Sequence, residues 1–234
     1  MHKFLLPALI AGLATSFAGL ATSAIAQSDA APRRFAVTGF DAIDLSGADS
    51  IRVLPGATLS VIADGDPRAV AALAIDVRDG TLRVGRKPGN WRDQGARITV
   101  TLPRLRAARI SGSGDIRVGA VTGRDFTASI SGSGTLAVTD LDAETARFAL
   151  PGSGTITAAG RATQVAIALD GSGRIDTRAL ATPAVRVTMG GAGTIAATAT
   201  RTADIAASGS GSIRVAGGAT CAVRNSGAAS VRCG

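Results

Sequence analysis

A short turn of the form Gly-Ser-Gly recurs about every 20 residues through the second half of this 234-residue chain. Two of the clearest copies are Gly112-Ser113-Gly114 and Gly132-Ser133-Gly134. The first glycines of successive copies stand at positions 112, 132, 152, 171, 191, 209 and 227, at steps of 20, 20, 19, 20, 18 and 18 residues. Self-similarity at this period is typical of repeat proteins, in which each unit packs on its neighbours. The chain is therefore predicted to be a stack of similar coils.

The segments on both sides of each turn alternate apolar and polar residues. Phe126, Ala128 and Ile130 precede one turn, and Leu136 and Val138 follow it. A period of two indicates a β-strand with one buried face. Each repeat therefore holds two strands and a tight turn, which leaves no room for a helix. We predict an all-β fold, a single-stranded β-helix (β-solenoid) of about 20-residue coils with Gly-Ser-Gly corners, whose strands pair along the stack.

Glycine at the corners is expected to permit a sharp change in chain direction. Such a corner needs positive φ, which glycine adopts without steric cost, and the small Ser or Ala between two glycines lets equivalent corners stack. A phosphate-binding loop is the alternative, but the Gly-Lys-Ser/Thr ending of such loops is missing. The predicted structural turn glycines are Gly112, Gly114, Gly132, Gly134, Gly152, Gly154, Gly171, Gly173, Gly191, Gly193, Gly209 and Gly211.

The segment before the regular repeats carries other signals. Apolar alternation around Gly47 predicts that the array begins near residue 35. Asp66-Pro67 is a typical helix start, with a capping side chain and a proline in the first turn, and predicts a short helix through Leu73. Asp79-Gly80 predicts a hairpin turn. A polar loop carrying Trp91 precedes the next alternating segment.

The N-terminus has the layout of a secretory signal peptide. A basic start at His2 and Lys3 precedes an apolar run, and Ala24-Ile25-Ala26 offers small residues for cleavage after Ala26. A transmembrane anchor is the alternative, but the apolar run is interrupted by Gly, Ser and Thr and is short for a span. The protein is therefore expected to be extracytoplasmic, either periplasmic or at the cell surface. The predicted organisation is a signal peptide at 1–26, a flexible linker at 27–34 and a single domain at 35–234, divided into an N-terminal portion at 35–104 and regular repeats at 105–234.

Two cysteines lie near the end of the chain. Cys221 stands six residues before Gly227 and Cys233 stands six residues after it. The equivalent positions of earlier repeats are mostly small or apolar and are predicted to point inward. In an oxidising compartment an even number of cysteines favours a disulfide. We predict a Cys221–Cys233 disulfide that fixes the last coil, with a redox-active pair as the alternative.

The charge pattern argues against nucleic acid as a partner. The formal net charge is +8, but the arginines are dispersed and no aromatic residues alternate with them to stack on bases. Dispersed positive charge is typical of a solvated basic surface. The arginines that show this dispersal are Arg52, Arg83, Arg117, Arg147, Arg174, Arg201 and Arg224.

Catalytic and metal-binding patterns are missing from the sequence after the predicted signal peptide. His2 is the single histidine, so histidine-dependent catalysis and histidine metal ligation are excluded. A calcium-binding repeat needs a recurrent aspartate after the glycines, and only Asp115 fits. The acidic cluster Asp140, Asp142 and Glu144 is predicted to be solvated charge on a connection, with a carboxylate site for sugar chemistry as the alternative. No catalytic, cofactor-binding or metal-binding residue is assigned.

The motifs together resemble the GIN-domain family, known as the auto-transporter adhesin head domain and also as a domain of unknown function. The resemblance covers about residues 35 to 230 and rests on the opening segment 40–47, the hairpin 77–82, and the strand 98–103 that leads into the first corner at 110–115. It implies a right-handed, extracytoplasmic β-helix without enzymatic activity. The family supplies no binding residues that can be transferred to this chain.

Three classes of function remain open from the sequence. The first is an adhesin-like interaction or structural module of the bacterial cell envelope, whose partner is an unidentified protein or glycan. The second is a polysaccharide-active enzyme, because β-helices often carry catalytic grooves. The third is an ice- or crystal-binding face, because Thr135, Thr155 and Thr194 share one repeat position, although Arg174 interrupts that row.

Overall fold

A computed structural model describes residues 31–90 and 95–234, so the predicted signal peptide and Trp91 lie outside the described residues. Nearly all of the described chain is β-structure, with one short helix. The helix is α1 (Pro67–Ala72). The strands are β1 (Arg33–Phe35), β2 (Ala42–Leu45), β3 (Ser50–Pro55), β4 (Ser60–Gly65), β5 (Leu73–Arg78), β6 (Thr81–Arg86), β7 (Ala96–Leu102), β8 (Ala107–Ile110), β9 (Asp115–Ile130), β10 (Thr135–Leu150), β11 (Thr155–Leu169), β12 (Arg174–Ala181), β13 (Ala184–Met189), β14 (Thr194–Thr198), β15 (Thr202–Ala207), β16 (Ser212–Ala216), β17 (Thr220–Asn225) and β18 (Ser230–Cys233).

Successive repeats stack in parallel register, which confirms the predicted β-solenoid. Thr135 of β10 lies between Asp115 of β9 and Thr155 of β11, and the pairing continues around each coil. The coils are about 20 residues apart and make about six turns. Each coil has an outgoing arm, which follows a corner, and a return arm, which leads to the next corner. The handedness of the coil remains a prediction.

The coil around Gly47 lies directly against the coil around Gly112, although 65 residues separate them in sequence. β2 pairs in parallel with β8, and β3 pairs in parallel with β9. The corners also join, since the amide of Ser113 donates to the carbonyl oxygen of Gly47 at 3.2 Å. The array therefore includes the predicted first copy near residue 47. The repeat is interrupted in the sequence, but the coils on either side of the interruption are adjacent in the stack.

The 65-residue interruption covers the first end of the stack. β6 and β7 form a further coil that pairs in parallel with β2 and β3 on the side away from β8 and β9. β5 then pairs antiparallel with β6, and β4 pairs antiparallel with β7. The change to antiparallel pairing occupies the edge that an open parallel stack would expose to other chains.

Local signals in this N-terminal portion are confirmed by the structure. The Asp66 side chain accepts a hydrogen bond of 2.8 Å from the Arg68 amide and caps α1. The apolar side of α1, which includes Val70, is buried in the core. Asp79 and Gly80 adopt φ values of 50° and 69° in the hairpin turn between β5 and β6, as expected for a tight two-residue turn.

The core is one thin layer between the two arms of each coil. Large and small side chains complement one another between coils, since Phe126 stacks beside Ala146, and Ala128 stacks beside Phe148. All four are buried. This alternation fills the interior with few aromatic residues, consistent with a chain that has six Phe and one Trp.

The predicted turn glycines do lie at the corners of the coils, but the predicted reason that glycine is needed there, positive φ, is wrong. None of the twelve described corner glycines has positive φ. Instead, equivalent corners lie in direct contact. A Cβ added to Gly132 would overlap the carbonyl oxygen of Gly112 and would also lie 2.8 Å from its carbonyl carbon and 2.9 Å from the Ser111 oxygen. Glycine is required here because the backbones of neighbouring coils approach too closely for any side chain.

One repeat is a residue shorter than its predecessor, and a glycine with positive φ accommodates the difference. The register between β10 and β11 shifts between Val138 and Leu141. Gly160, which pairs with Leu141, has φ of 121°. Glycine adopts this conformation at little cost, whereas a residue with a side chain does not. The one-residue difference in repeat length is thus accommodated at the bend of the coil, and the strand pairing of both arms is retained.

The last coil is closed by side chains rather than by another strand in the described structure. The Asn225 amide donates to the Ala229 carbonyl oxygen at 2.8 Å, and its side-chain oxygen accepts from the Gly227 amide at 3.2 Å. Cys221 and Cys233 face one another across this coil at disulfide distance, with their Cα atoms 6.3 Å apart. That separation is in the usual range for a disulfide.

We expect the protein, purified under oxidising conditions, to contain no free thiol, because the fold places Cys221 and Cys233 at disulfide distance. Changing Cys221 and Cys233 together to alanine should lower stability by about 3 kcal/mol at most, since the closed loop is short. Thiol titration of the denatured protein, with and without prior reduction, measures the first effect, and urea denaturation measures the second. Two free thiols per chain before reduction would contradict the bond and favour a redox-active pair.

Candidate functional site

The outward side chains of the return arms line a groove of about 630 Å³. The groove crosses β10, β11, β13, β15 and β17, so its length runs along the stack. Because neighbouring parallel strands lie about 4.8 Å apart, equivalent residues of successive coils stand in straight rows. Two such rows form the groove.

The first row presents hydroxyl and amide groups. Register pairs its members in order from β10 to β17. Three threonines and one glutamine can each donate and accept hydrogen bonds, and a single alanine interrupts them. The row consists of Thr145, Gln164, Ala184, Thr202 and Thr220.

The second row carries charge around an apolar floor. Arg147 leans toward Asp125 of the preceding coil, with an Nη1–Oδ1 distance of 3.3 Å. Arg186 leans the other way, toward Asp204 of the following coil, at 3.5 Å between Nη2 and Oδ2. Ala166 stands between the two arginines in the same row. Its small side chain leaves the floor of the groove open.

This arrangement suits binding more than bond breaking. Small-molecule sites commonly enclose about 300–1,000 Å³ and combine apolar surface with a few polar groups that fix orientation. The groove has this size, an alanine floor, hydrogen-bonding groups and two arginines already neutralised by carboxylates. An elongated polar ligand could contact successive coils by the same groups, because the row repeats them at the strand spacing.

The acidic cluster predicted on a connection lies within β10, and two of its three members, Asp142 and Glu144, are paired with arginines. Arg161 donates to Asp142, with 3.0 Å between Nε and Oδ1. This hydrogen bond holds the pKa of the Asp142 carboxyl below its ordinary value. Arg124 pairs with Glu144 at 3.1 Å. A sugar-cleaving acid needs a raised pKa, so Asp142 is poorly suited to that role.

The predicted threonine row exists on the outgoing arms, separate from the groove. Thr135 pairs with Thr155, which pairs with Arg174, which pairs with Thr194. Arg174 interrupts the row as the sequence indicated. Asp115 continues the row at the other end and lies 3.7 Å from Arg117. Within residues 31–90 and 95–234, no group of three or more acidic, cysteine or histidine residues is placed to hold a metal ion.

Sequence reasoning missed the groove, although the repeat contained the signal. Aligning the copies places residues 145, 164, 184, 202 and 220 in one column. The dispersed arginines also have a common role that the sequence did not reveal, since several join adjacent coils through exposed ion pairs, as Arg147 does with Asp125. Cys221 lines the end of the groove. The corner glycines lie outside its lining.

No helix among the described residues is long and apolar enough to cross a membrane.

Solved structures share this fold. A "putative adhesin" from Bacteroides fragilis is 22% identical with a TM-score of 0.77, and the match covers 87% of this chain and 96% of that one. A "putative lipid binding protein" from Parabacteroides distasonis is 18% identical with a TM-score of 0.65, covering 86% and 96%. A "putative adhesin" from Parabacteroides merdae is 19% identical with a TM-score of 0.65, covering 87% and 95%. At these identities the likeness shows the fold alone.

No curated protein matches the chain significantly. The family model described as "Putative auto-transporter adhesin, head GIN domain" matches residues 39–219, which include the first covered coil, the helix, the hairpin and all but the last corner. The predicted resemblance is confirmed over most of the chain, and the protein belongs to the GIN-domain family.

Proposed function

We propose that this protein is an exported, non-catalytic binding module of the cell envelope, adhesin-like in its use, and that the groove on the return arms is its binding surface. The observation that carries the proposal is a row of side chains that five successive coils hold in register, four of which carry hydroxyl or amide groups. A glycan or an extended protein segment has the repeating polar character that such a row can match.

The family and the fold support this proposal. The family model is described as a "Putative auto-transporter adhesin, head GIN domain", and the similar structures from Bacteroides fragilis and Parabacteroides merdae are each described as a "putative adhesin". The signal-peptide pattern at residues 1–26 favours export. A polysaccharide-active enzyme finds less support. Its candidate catalytic carboxylates, Asp142 and Glu144, are each paired with an arginine.

Filling the groove should abolish partner binding. Ala166→Trp places a large ring on the groove floor, whereas Ala196→Trp makes the same change at an outward, half-buried position of an outgoing arm. We expect the first variant to lose at least about tenfold in binding to isolated envelope fractions, and the second to bind as the parent does. Surface plasmon resonance with immobilised envelope glycans and outer-membrane fractions measures both. Equal binding by the two variants would exclude the groove as the binding surface.

Protease shaving of intact cells tests the placement. If the protein is an adhesin, externally added protease should remove it from intact cells, because the array must face the medium to meet a partner. Immunodetection before and after membrane permeabilisation gives the readout. Protection until permeabilisation would place the module in the periplasm and redirect the search to envelope partners.

A further inference from the structure

A second surface, near the covered end of the stack, concentrates positive charge that the sequence disperses. Arg52, Arg97 and Arg117 lie on β3, β7 and β9. Register places Arg52 directly beside Arg117 on the outgoing arms, and Arg97 beside Ser50 in the adjacent row. These strands share a cleft of about 350 Å³, named here the arginine cleft. Its polar lining consists of Ser50, Arg52, Asp64, Arg97, Thr99 and Arg117.

Guanidinium groups outnumber carboxylates in the arginine cleft, even when Asp115, which lies just outside its lining, is counted together with Asp64. Arg97 pairs with Asp64 at 2.9 Å, and Arg117 lies 3.7 Å from Asp115. Arg52 is exposed, and no carboxylate of the described residues lies within ion-pair distance of it. Three guanidinium groups and two carboxylates leave a local charge of 3 − 2 = +1. The cleft therefore offers one guanidinium group, that of Arg52, whose N–H donors are not paired with a carboxylate among the described residues.

Placing Arg52 opposite Arg117 does not help the fold. Like charges directly opposite on neighbouring strands are unfavourable. Opposite charges of adjacent coils lie together at other places in the stack, as Arg147 and Asp125 do. An arginine pair that lines a cleft is a common way to recognise an anion, because the planar guanidinium binds a carboxylate through two parallel hydrogen bonds.

We propose that the arginine cleft binds the carboxylate of an acidic sugar, such as a uronate residue within a glycan chain. Arg52 supplies the bidentate contact, and Arg117 adds a second positive charge. The hydroxyl groups of Ser50 and Thr99, which also line the cleft, are placed to bond sugar hydroxyls. A volume of about 350 Å³ is at the lower end for small-molecule sites and suits one or two sugar rings.

A singly charged carboxylate fits this cleft better than a phosphate dianion. The local charge of +1 is neutralised by one negative charge, and the nearby Asp64 and Asp115 would repel a second. The arginine cleft is a second binding surface beside the groove, since it lies on the outgoing arms and the groove lies on the return arms. Only its biological use rests on the proposed function.

Titration of the full chain with trigalacturonate, followed by calorimetry, tests the proposal. We expect saturable binding that weakens with salt, and Arg52→Gln should weaken it at least about tenfold, because a charge-assisted bidentate contact is lost. Arg52→Lys keeps the charge without the fork and should fall between the parent and Arg52→Gln. The methyl ester of the same trisaccharide, which lacks the charge, should not bind.

The chain offers a matched control at the other end of the stack. Arg214 and Arg232 are also adjacent on outgoing arms, and both are exposed. Register places no third arginine beside them on the neighbouring strands of those arms. Arg214→Gln changes the net charge as Arg52→Gln does and should leave the affinity within about twofold of the parent. Circular dichroism of each variant confirms that the fold is retained.

Several results would overturn the carboxylate site. These are the absence of binding up to about 10 mM trigalacturonate, equal binding of the methyl ester, equal weakening by Arg52→Gln and Arg214→Gln, and tighter binding of inorganic phosphate than of the uronate. None of them touches the proposed function, which is measured separately by Ala166→Trp and protease shaving. Conversely, uronate binding that survives Ala166→Trp, together with failure of the groove, would leave the arginine cleft as the site of adhesion.

Discussion

Replacing Gly132 by alanine should destabilise the protein by about 3–5 kcal/mol, a large share of the stability of an ordinary domain. The added methyl group would overlap the carbonyl oxygen of Gly112, and its other close neighbours are also backbone atoms. Backbone cannot rotate aside as a side chain can. The two coils must therefore separate at the corner, which stretches the 3.1 Å hydrogen bond from the Ser133 amide to Gly112 and the 2.9 Å bond from the Ser131 amide to Ile110.

Gly123→Ala is the matched control for this substitution. Gly123 lies in β9, the strand that leads into this corner, and a Cβ added there has nothing within 4 Å. Alanine at such a position stabilises proteins by about 0.4–1 kcal/mol, because it restricts the unfolded chain. Urea denaturation followed by circular dichroism compares the two variants. If Gly132→Ala unfolds at the same midpoint as Gly123→Ala, the close approach of the corners is not what requires glycine.

The corner glycines also show which features of this fold could be predicted from the sequence and which could not. Their spacing predicted the coil, the strands and the corners, because period and alternation survive in every copy. It did not predict why glycine is needed. Positive φ and close backbone approach both select glycine, and the choice between them depends on the distance to the neighbouring coil. That distance, here between the backbones of Gly132 and Gly112, is known only once the pairing of the two coils is known.

The binding surfaces were hidden for a related reason. The groove and the arginine cleft are built from residues that are distant in sequence and adjacent only through parallel pairing. Arg52 and Arg117 become neighbours because the chain leaves the stack after β3, covers its end and returns at β8. Local pattern predicted the helix, the hairpin and the strand of that excursion. The side of the stack that it covers was set by strand pairing, which local pattern does not encode.

The ion pair between Asp49 and Arg86 should be the strongest single polar contributor to the covered end. Asp49 takes the place of the second glycine of a corner, since Ser50 pairs with Asp115 and its predecessor therefore matches Gly114. On the other side of Asp49, the neighbouring coil has no Gly-Ser-Gly corner, since β6 ends at Arg86 and β7 begins at Ala96. The Asp49 side chain bonds to both of these residues.

The Asp49 carboxylate is fully buried and joins the ends of β6 and β7 to the stack. Its Oδ2 accepts from Arg86 Nε at 2.9 Å, its Oδ1 accepts from Arg86 Nη2 at 2.5 Å, and Oδ1 also accepts from the Ala96 amide at 2.8 Å. The side chain has 0% of its surface exposed, against 20% for Arg86. One carboxylate therefore joins the end of β6, the start of β7 and the first corner.

Asp49→Ala should cost about 3–5 kcal/mol, because it leaves the Arg86 charge partly buried without this partner and the Ala96 amide without its acceptor. Adding Arg86→Met to Asp49→Ala should recover part of the loss, since a buried pair replaced by apolar groups is often near neutral. Asp76→Ala is the control, because its pair with Arg78 is exposed, at 48% and 67%, and should cost no more than about 1 kcal/mol. Urea midpoints and hydrogen exchange at the Ala96 amide measure these effects. Equal midpoints for Asp49→Ala and Asp76→Ala would show that the covered end is held by its apolar packing and strand pairing, and that the buried carboxylate adds little.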